Sequence, residues 1–375
     1  MGRAVDFAVV GAGIAGASVA YELAQHGTVK VFEMEATAGH HSTGRSAALY
    51  TECDGLTPLR RLAMASKDFL LNPPDGFTDG PILSGRTVLF VSKGPTGDDL
   101  DSFYAEQRSL VPSISRVDPA EAHQLCGALR PEKLAGGVLE PDAMDIDVHA
   151  LHQGFLGGLR SRGGELATSA PVVDLEQRDR SWRVTTAKET IDAGVVVNAA
   201  GAWCDVVGAM AGARLIGLVP KRRTAFTFAP PVGSGHEDWP MVVDVAGDFY
   251  FRPEGPSLLA SPEDETPVAP QDIRHDEIDV ARAIERIQEV TTMEIRHVRS
   301  AWAGLRSFVA DNVPVVGMDP EITGFFWLAG QGGYGIMTSP AMSRAAASLI
   351  TAGRMPEDVA AHGVTEDELS PTRLI

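Results

Sequence analysis

Cysteine is scarce in this 375-residue chain: Cys53, Cys126 and Cys204 are all it contains. Three thiols so far apart make neither a disulfide framework nor a CxxC metal site, so they read as buried or incidental. Basic residues are short as well. Lys and Arg number 32 against 50 Asp and Glu, a net charge of −18. That balance argues against nucleic acid or an anionic membrane surface as a partner. No stretch reaches the roughly 18 uninterrupted apolar residues of a membrane span. The apolar beginning lacks a basic leader of any weight and is broken by glycines, so it does not read as a signal peptide, and a cytoplasmic protein is expected. Internal repeats and low-complexity linkers are missing too. What remains is a chain with 44% hydrophobic and 22% charged residues, which describes a folded globular protein with room for two domains.

The most informative stretch runs from Phe7 to Glu33. Phe7-Ala8-Val9-Val10 has strand length and composition. It enters Gly11-Ala12-Gly13-Ile14-Ala15-Gly16, then a helical pattern ending at His26-Gly27, then a β-branched run that closes on Glu33. Gly11 suits the tight strand-to-helix turn, Gly13 lets backbone approach a pyrophosphate, and Gly16 lets the helix lie close on the sheet. The helix N-terminus offers free N–H groups and partial positive charge to that anion. Glu33, about 20 residues on, stands where a carboxylate accepts from ribose hydroxyls, which favours FAD or NAD over a phosphorylated ribose. Strand, glycines, helix, strand and acid in this order make a dinucleotide-binding βαβ unit.

Further along, Ala38 to Ala48, rich in glycine and hydroxyls, reads as an extended loop suited to a cofactor's phosphates or ring. Helices are expected at Thr57 to Leu71, from about Asp99 to Leu110 behind a Gly94–Asp99 loop, after Asp118-Pro119, and from about Val148 to Arg162. Small and acidic residues with turn signals fill Ala135 to Asp147. Strands are expected at Thr87–Val91, Val172–Leu175, Trp182–Thr186 and Glu189–Asp192. A buried strand from Val195 then ends in small residues, Ala199-Ala200-Gly201-Ala202, where a ligand can approach its carboxyl end. Leu215–Phe228 and Met241–Leu259 suggest long antiparallel strands, and Asp276–Thr291 an amphipathic helix. Phe325–Leu328 is a last strand, followed by a Gly330–Gly335 run and a closing helix from Thr338. No metal site is expected. His40-His41 reads as a solvated loop pair, and His149 and His152 as a surface or core pair without a third ligand. The fold class is α/β (α+β overall): a Rossmann-like domain with an inserted antiparallel-sheet domain.

With these residues together, the chain resembles the D-amino-acid oxidase / glycine oxidase superfamily of FAD enzymes over nearly its whole length. GAGIAG with Glu33, the STGRSAA loop, VVNAAGAWCD, WAGLRSFVADNVPVVG and GQGGYGI carry the likeness. Within the superfamily, HSTGRSAALY, PKRRTAF, DFYFRP and QGGYGI look most like the D-arginine dehydrogenases. The resemblance implies non-covalent FAD, since covalent attachment as in sarcosine oxidases would need a cysteine beyond Cys204. It implies cofactor contacts from Gly11, Gly13, Ile14, Ala15, Gly16 and Glu33. Ser42, Thr43, Arg45, Ser46, Ala47 and Ala48 would follow, then Val172, Ala200, Gly201 and Gly304, and lastly Gly332, Gly333, Tyr334, Gly335 and Ile336. It places a discontinuous FAD domain at 1–80, 145–215 and 300–375 and a substrate domain at 81–144 and 216–299.

Such an enzyme removes a hydride from the carbon beside an amine, giving an imine that hydrolyses, and it must hold the substrate carboxylate. A guanidinium fork does this bidentately. Arg306, a charge set among apolar neighbours, is the leading candidate, with Arg223 and Tyr250 as supports; Gly333 would offer its carbonyl to the amine and Tyr334 would line the pocket. Three positions depart from the D-arginine dehydrogenase pattern. No acid stands in Thr87-Val88-Leu89, Leu49 replaces a histidine, and Met337 replaces a glutamine. An unpaired cation there would be costly, so the expected substrate carries an apolar group: a D-amino acid or an N-substituted glycine. A second substrate carboxylate would turn to Arg222 or Arg252. Oxygen or another acceptor would reoxidise the flavin. The alternatives are a D-arginine or basic D-amino-acid dehydrogenase, an FAD-holding electron-transfer or structural subunit, and, more weakly, an NAD-dependent dehydrogenase.

Overall fold

The computed structural model describes residues 4–94 and 97–374. Pro95 and Thr96 of the expected Gly94–Asp99 loop lie outside the described residues. The described strands form two eight-stranded sheets and one of three strands.

The first sheet grows from the glycine motif. Ala4–Val10 and Val29–Phe32 pair in parallel, with Val10 opposite Phe32. Thr190–Asn198 flanks the other side, placing Asn198 beside Val10, and Phe325–Ala329 follows, also parallel. Glu165–Ala167 pairs in parallel at the far edge. Parallel strands are buried on both faces, which explains the near-continuous apolar runs. Helices Ile14–Leu23, Thr57–Leu71 and Gly335–Ala352 share one core cluster with Val9, Val31, Val197 and Phe326. On the opposite face Trp182, Val184, Val207 and Trp327 pack together. This is the α/β, Rossmann-like architecture expected of the sequence.

The second sheet is mostly antiparallel. Its order is Val298–Phe308, Val219–Phe228, Ser257–Ser261, Tyr250–Glu254, Met241–Asp244, Val88–Lys93, Leu134–Glu140 and Ser115–Val117. Helix Glu277–Val290 covers it through Val280, Ala283 and Ile287 against Phe226, Phe228, Phe249 and Phe251. Strand Val298–Phe308 crosses the expected boundary at 300 and pairs along its length with Val219–Phe228. The small sheet joins Leu49–Tyr50, Met144–Ile146 and Leu83–Gly85.

Some expected elements differ. Glu189–Asp192 and the Val195 strand are one continuous strand, Thr190–Asn198, whose first half pairs with Ser181–Thr186 and whose second half pairs with Phe325–Ala329. Met241–Leu259 is three strands, because Gly247 and Gly255 turn the chain at positive φ. The turn-rich Ala135–Asp147 contains a full strand, Leu134–Glu140, in the interior of the sheet. There Gly137 is needed because a Cβ would lie 2.8 Å from both Leu89 and the Phe90 carbonyl. The last helix begins at Gly335, ahead of the expected Thr338, and accommodates Pro340 in its early turns.

Candidate active site

The carboxyl ends of the parallel strands meet at the first glycine turn. The Gly11 N–H donates to Phe32 O at 2.8 Å and the Ala199 N–H to Val10 O at 3.0 Å. Backbones lie so close there that only glycine fits. A Cβ on Gly16 would stand 1.9 Å from Gly11 O, and one on Gly11, at φ +100°, would stand 2.5 Å from Ala199 O. Helix Ile14–Leu23 starts at Gly13, which has no side chain to cap it; Thr43 Oγ1 takes the Ile14 N–H, and the rest of the positive end faces the cleft. Glu33, 7% exposed, accepts from the Ala12 N–H at 2.8 Å and the Glu35 N–H at 2.9 Å. Those bonds aim its carboxylate at the turn.

A cleft runs from this turn along the sheet. Glu33, Met34, Val172, Ala200 and Gly201 line one end. Gly11, Gly13, Ile14, Ala15, Ser42, Thr43 and Ser46 line the middle. Arg306, Gly332, Gly333, Gly335 and Ile336 line the other end. Of the remaining residues expected at the cofactor, Gly16 is buried inside the turn, Ala48 packs with Tyr50, and Ala47 is half-buried. Arg45 donates to Ile273 O at 3.0 Å and Ala303 O at 3.1 Å and pairs with Asp272, so its fork ties the loop to the second sheet. The loop hydroxyls brace the scaffold too: Ser42 Oγ donates to Leu305 O at 2.7 Å, and Thr43 Oγ1 accepts from the Ile14 N–H at 2.9 Å.

The histidines behave differently from their neighbours in sequence. His152 is buried and its Nε2 lies 2.9 Å from Ala12 O, so it supports the glycine turn from beneath, while His149 is exposed. Burial holds the His152 pKa below the usual histidine range. His40-His41 is no bare solvated pair. His41 meets Glu35 Oε1 at 3.0 Å and packs its ring on Trp203 at 4.7 Å, and His40 and Asp272 approach to 3.9 Å. These acids escaped the sequence reading because neither stands at a ligand spacing along the chain.

At the far end of the cleft the two long strands of the second sheet set a row of cations. Lys221 lies opposite Arg306, and Arg223 opposite Gly304, where an added Cβ would stand 3.4 Å from Arg306 Nη1. Glu265 binds both Lys221 at 2.7 Å and Arg223 at 2.9 Å. Among the described residues the Arg306 guanidinium has no hydrogen-bond or ion-pair partner. Burial, and secondarily the charge of Arg223, bring its pKa down to about 10. Tyr250 is a neighbouring counter-influence. An unpaired guanidinium in a cleft demands an anion. Arg222 and Arg252, by contrast, are not available to a second carboxylate. Arg222 is held by Asp264 at 3.1 Å and Asp279 at 2.7 Å, and Arg252 by Asp145 at 2.5 Å and Glu254 at 2.9 Å.

The three apolar replacements do not form one wall. Leu49 and Val88 pack in one cluster with Tyr250, while Met337 belongs to another with Ile14, Tyr50 and Ile336. Val88 is wholly sealed and lies directly opposite Glu140 on the next strand. Tyr334 points its hydroxyl at Asp54, 3.4 Å away.

A family profile described as FAD dependent oxidoreductase (DAO) matches residues 6–349. The chain belongs to that family. It is 26% identical to glycine oxidase of Geobacillus kaustophilus, covering 96% of each chain. It is 25% identical to mitochondrial dimethylglycine dehydrogenase of Rattus norvegicus over 97% of its own length. The chain spans 44% of the length of that relative. The crystal structure of the G. kaustophilus glycine oxidase superposes with a TM-score of 0.80 at 24% identity, over 93% of this chain and 95% of the other.

FAD is therefore the cofactor, and the cleft fits it. The close glycine turn, the helix start beside it and the buried acid at a strand terminus are what a dinucleotide requires. Asp54, Glu263 and Glu265, gathered around Arg223 and Tyr334, were not singled out in the sequence. Only the Asp54-Gly55 turn signal, just past the STGRSAA loop, hinted at them. Burial pushes Glu263 up to about 7, against the pull of Arg223. Among the described residues no helix is long and apolar enough to cross a membrane.

Proposed function

We propose that this FAD-dependent oxidoreductase oxidises the C–N bond of a small amino acid, with N-substituted glycines and apolar D-amino acids as the favoured class. The carrying observation is Arg306, a cation without a partner at the end of the cleft. Its fork would take the two oxygens of the substrate carboxylate, with Tyr250 beside it as a second donor. Bound FAD supplies the chemistry by accepting hydride from the carbon next to nitrogen. The protein orients that carbon: Arg306 holds the carboxylate, and the Gly332-Gly333 turn presents backbone to the amine side. Residues 1–80, 145–215 and 300–375 would serve the cofactor and 81–144 and 216–299 the substrate. The glycine oxidase and dimethylglycine dehydrogenase relatives support substrates of glycine type.

The test is anaerobic mixing of the purified flavoprotein with N-alkylglycines, apolar D-amino acids and D-arginine, following bleaching of the visible flavin band. Rapid bleaching by the first two classes is expected. Preference for D-arginine would replace the reading with a basic D-amino-acid dehydrogenase, to which Asp54 would lend an acid. No bleaching by any amine would favour an electron-transfer or structural subunit.

A further inference from the structure

We propose that Asp54 is the base of this reaction, taking the proton from the substrate's ammonium group; the inference rests on the amino-acid reading above. Amino acids reach an enzyme mostly as zwitterions, and a protonated nitrogen has no lone pair to support loss of hydride from its neighbouring carbon. A carboxylate able to reach the amine removes that obstacle.

The site holds one unpaired charge of each sign. Arg306 is the cation. Asp54 is the anion: among the described residues it forms no ion pair, and Tyr334, at 3.4 Å, is its side-chain hydrogen-bond donor. The nearest guanidinium, Arg223, bonds to Glu265 instead. Arg223 stands between the two poles, its charge acting on Arg306 and on Asp54 alike, and Tyr334 follows Gly333, which lines the cleft with Arg306. A zwitterion laid between the poles puts its carboxylate on Arg306 and its ammonium toward Asp54. More than a third of Asp54 remains open, leaving it accessible to a ligand.

The rest of the loop is built to hold that carboxylate still. Buried Glu140 accepts from Thr51 Oγ1 at 2.6 Å and from the Glu52 N–H at 2.8 Å. The Cys53 N–H donates back to Thr51 Oγ1 at 3.1 Å, and Arg60 Nε holds Glu52 O at 2.8 Å. Gly55, at φ +90°, lies against the Tyr334 ring so closely that a Cβ would stand 2.9 Å from it. In the step itself one N–H bond breaks and one O–H bond forms on Asp54. The electron pair stays on nitrogen, ready for the C=N bond as hydride departs to the family's FAD.

The experiment compares wild type, Asp54→Asn and Asp54→Glu, each as the FAD-loaded protein with an unchanged flavin spectrum and melting temperature. Two quantities are read: the anaerobic rate of flavin reduction by the best amine across pH, and the affinities of trimethylglycine and methylthioacetate from flavin spectral shifts. Trimethylglycine has a fixed cation and no proton to give; methylthioacetate has neither. Asp54→Asn should slow reduction at neutral pH about 100-fold, displace its pH profile to the alkaline side, and cut the trimethylglycine-to-methylthioacetate affinity ratio about tenfold. Asp54→Glu should restore part of both. An unchanged pH profile in Asp54→Asn overturns the proposal, even if the affinity ratio falls, because Asp54 would then anchor charge without moving a proton. If no amine reduces wild type, the functional reading itself falls.

Discussion

The two ends of the cleft are made of different materials. The dinucleotide end is mostly backbone: glycines packed to 1.9–2.5 Å of where a side chain would begin, a helix start at Gly13 and one buried carboxylate. The surroundings of Arg306, where we place the substrate, are side chains: Arg223, Tyr250, Tyr334, Asp54 and Glu263, drawn from the Thr51–Gly55 loop, the second sheet and its turns, and the Gly332 turn. A backbone site tolerates little, because nothing can move aside. A side-chain site can be altered one charge at a time, which suits a family that keeps one cofactor and changes its substrate.

That contrast orders the expected effects. Gly16→Val should be the most damaging, since its Cβ has no room beside Gly11 O. Loss of soluble protein or of bound flavin is expected, and a normally loaded, stable variant would break the backbone half of the comparison. Arg306→Ala comes next: it should keep FAD but lose tenfold to several-hundredfold in kcat/KM, since each charged hydrogen bond contributes about 1.5–3 kcal/mol. Steady-state kinetics and the flavin content of the purified variant check both parts.

Glu140→Gln tests the support beneath the substrate loop. Burial raises Glu140 to about 7, against an ordinary 4.5. Between those values the folded protein binds more protons than the unfolded chain, so stability falls as pH rises through this window. The total is about 3 kcal/mol, with most of the loss complete above pH 7. Gln carries no such charge, so denaturant midpoints of the variant should lose this part of the wild-type slope between pH 4.5 and about 7. Identical slopes in the two proteins would dismiss the assignment. Ser42→Ala should matter least. It removes one 2.7 Å bond to Leu305 O, worth about 1 kcal/mol, and is expected to lower Tm by a few degrees with FAD retained. Finally, denaturation in acid should release the flavin from the polypeptide, because none of Cys53, Cys126 and Cys204 lines the cleft; flavin that stays with the chain would contradict non-covalent binding.

Most of the cofactor end was legible in the chain. Glycine spacing, the apolar strand and the terminal acid act within about thirty residues, and local rules govern them. Helices with strong apolar spacing were equally plain, Thr57–Leu71 being recovered to the residue. Leu134–Glu140 was not, because Gly136-Gly137 look like a turn until a neighbouring strand presses against them. At the substrate end, Arg306 could be singled out because a charge among apolar residues needs a reason. Whether Arg222 and Arg252 were free could not be read, since Asp264, Asp279, Asp145 and Glu254 become their partners only across strands.

Sequence alone determined that a dinucleotide lies across a βαβ turn in an α/β chain, for glycine placement and strand-helix periodicity are local properties of the backbone. Tertiary structure decided which charges remain unpaired. Ion pairing depends on distance in space and on shared burial, and segments some 170 to 280 residues apart bring Arg223 and Tyr334 to Asp54. The acid we propose as the base was therefore visible only once the chain had folded.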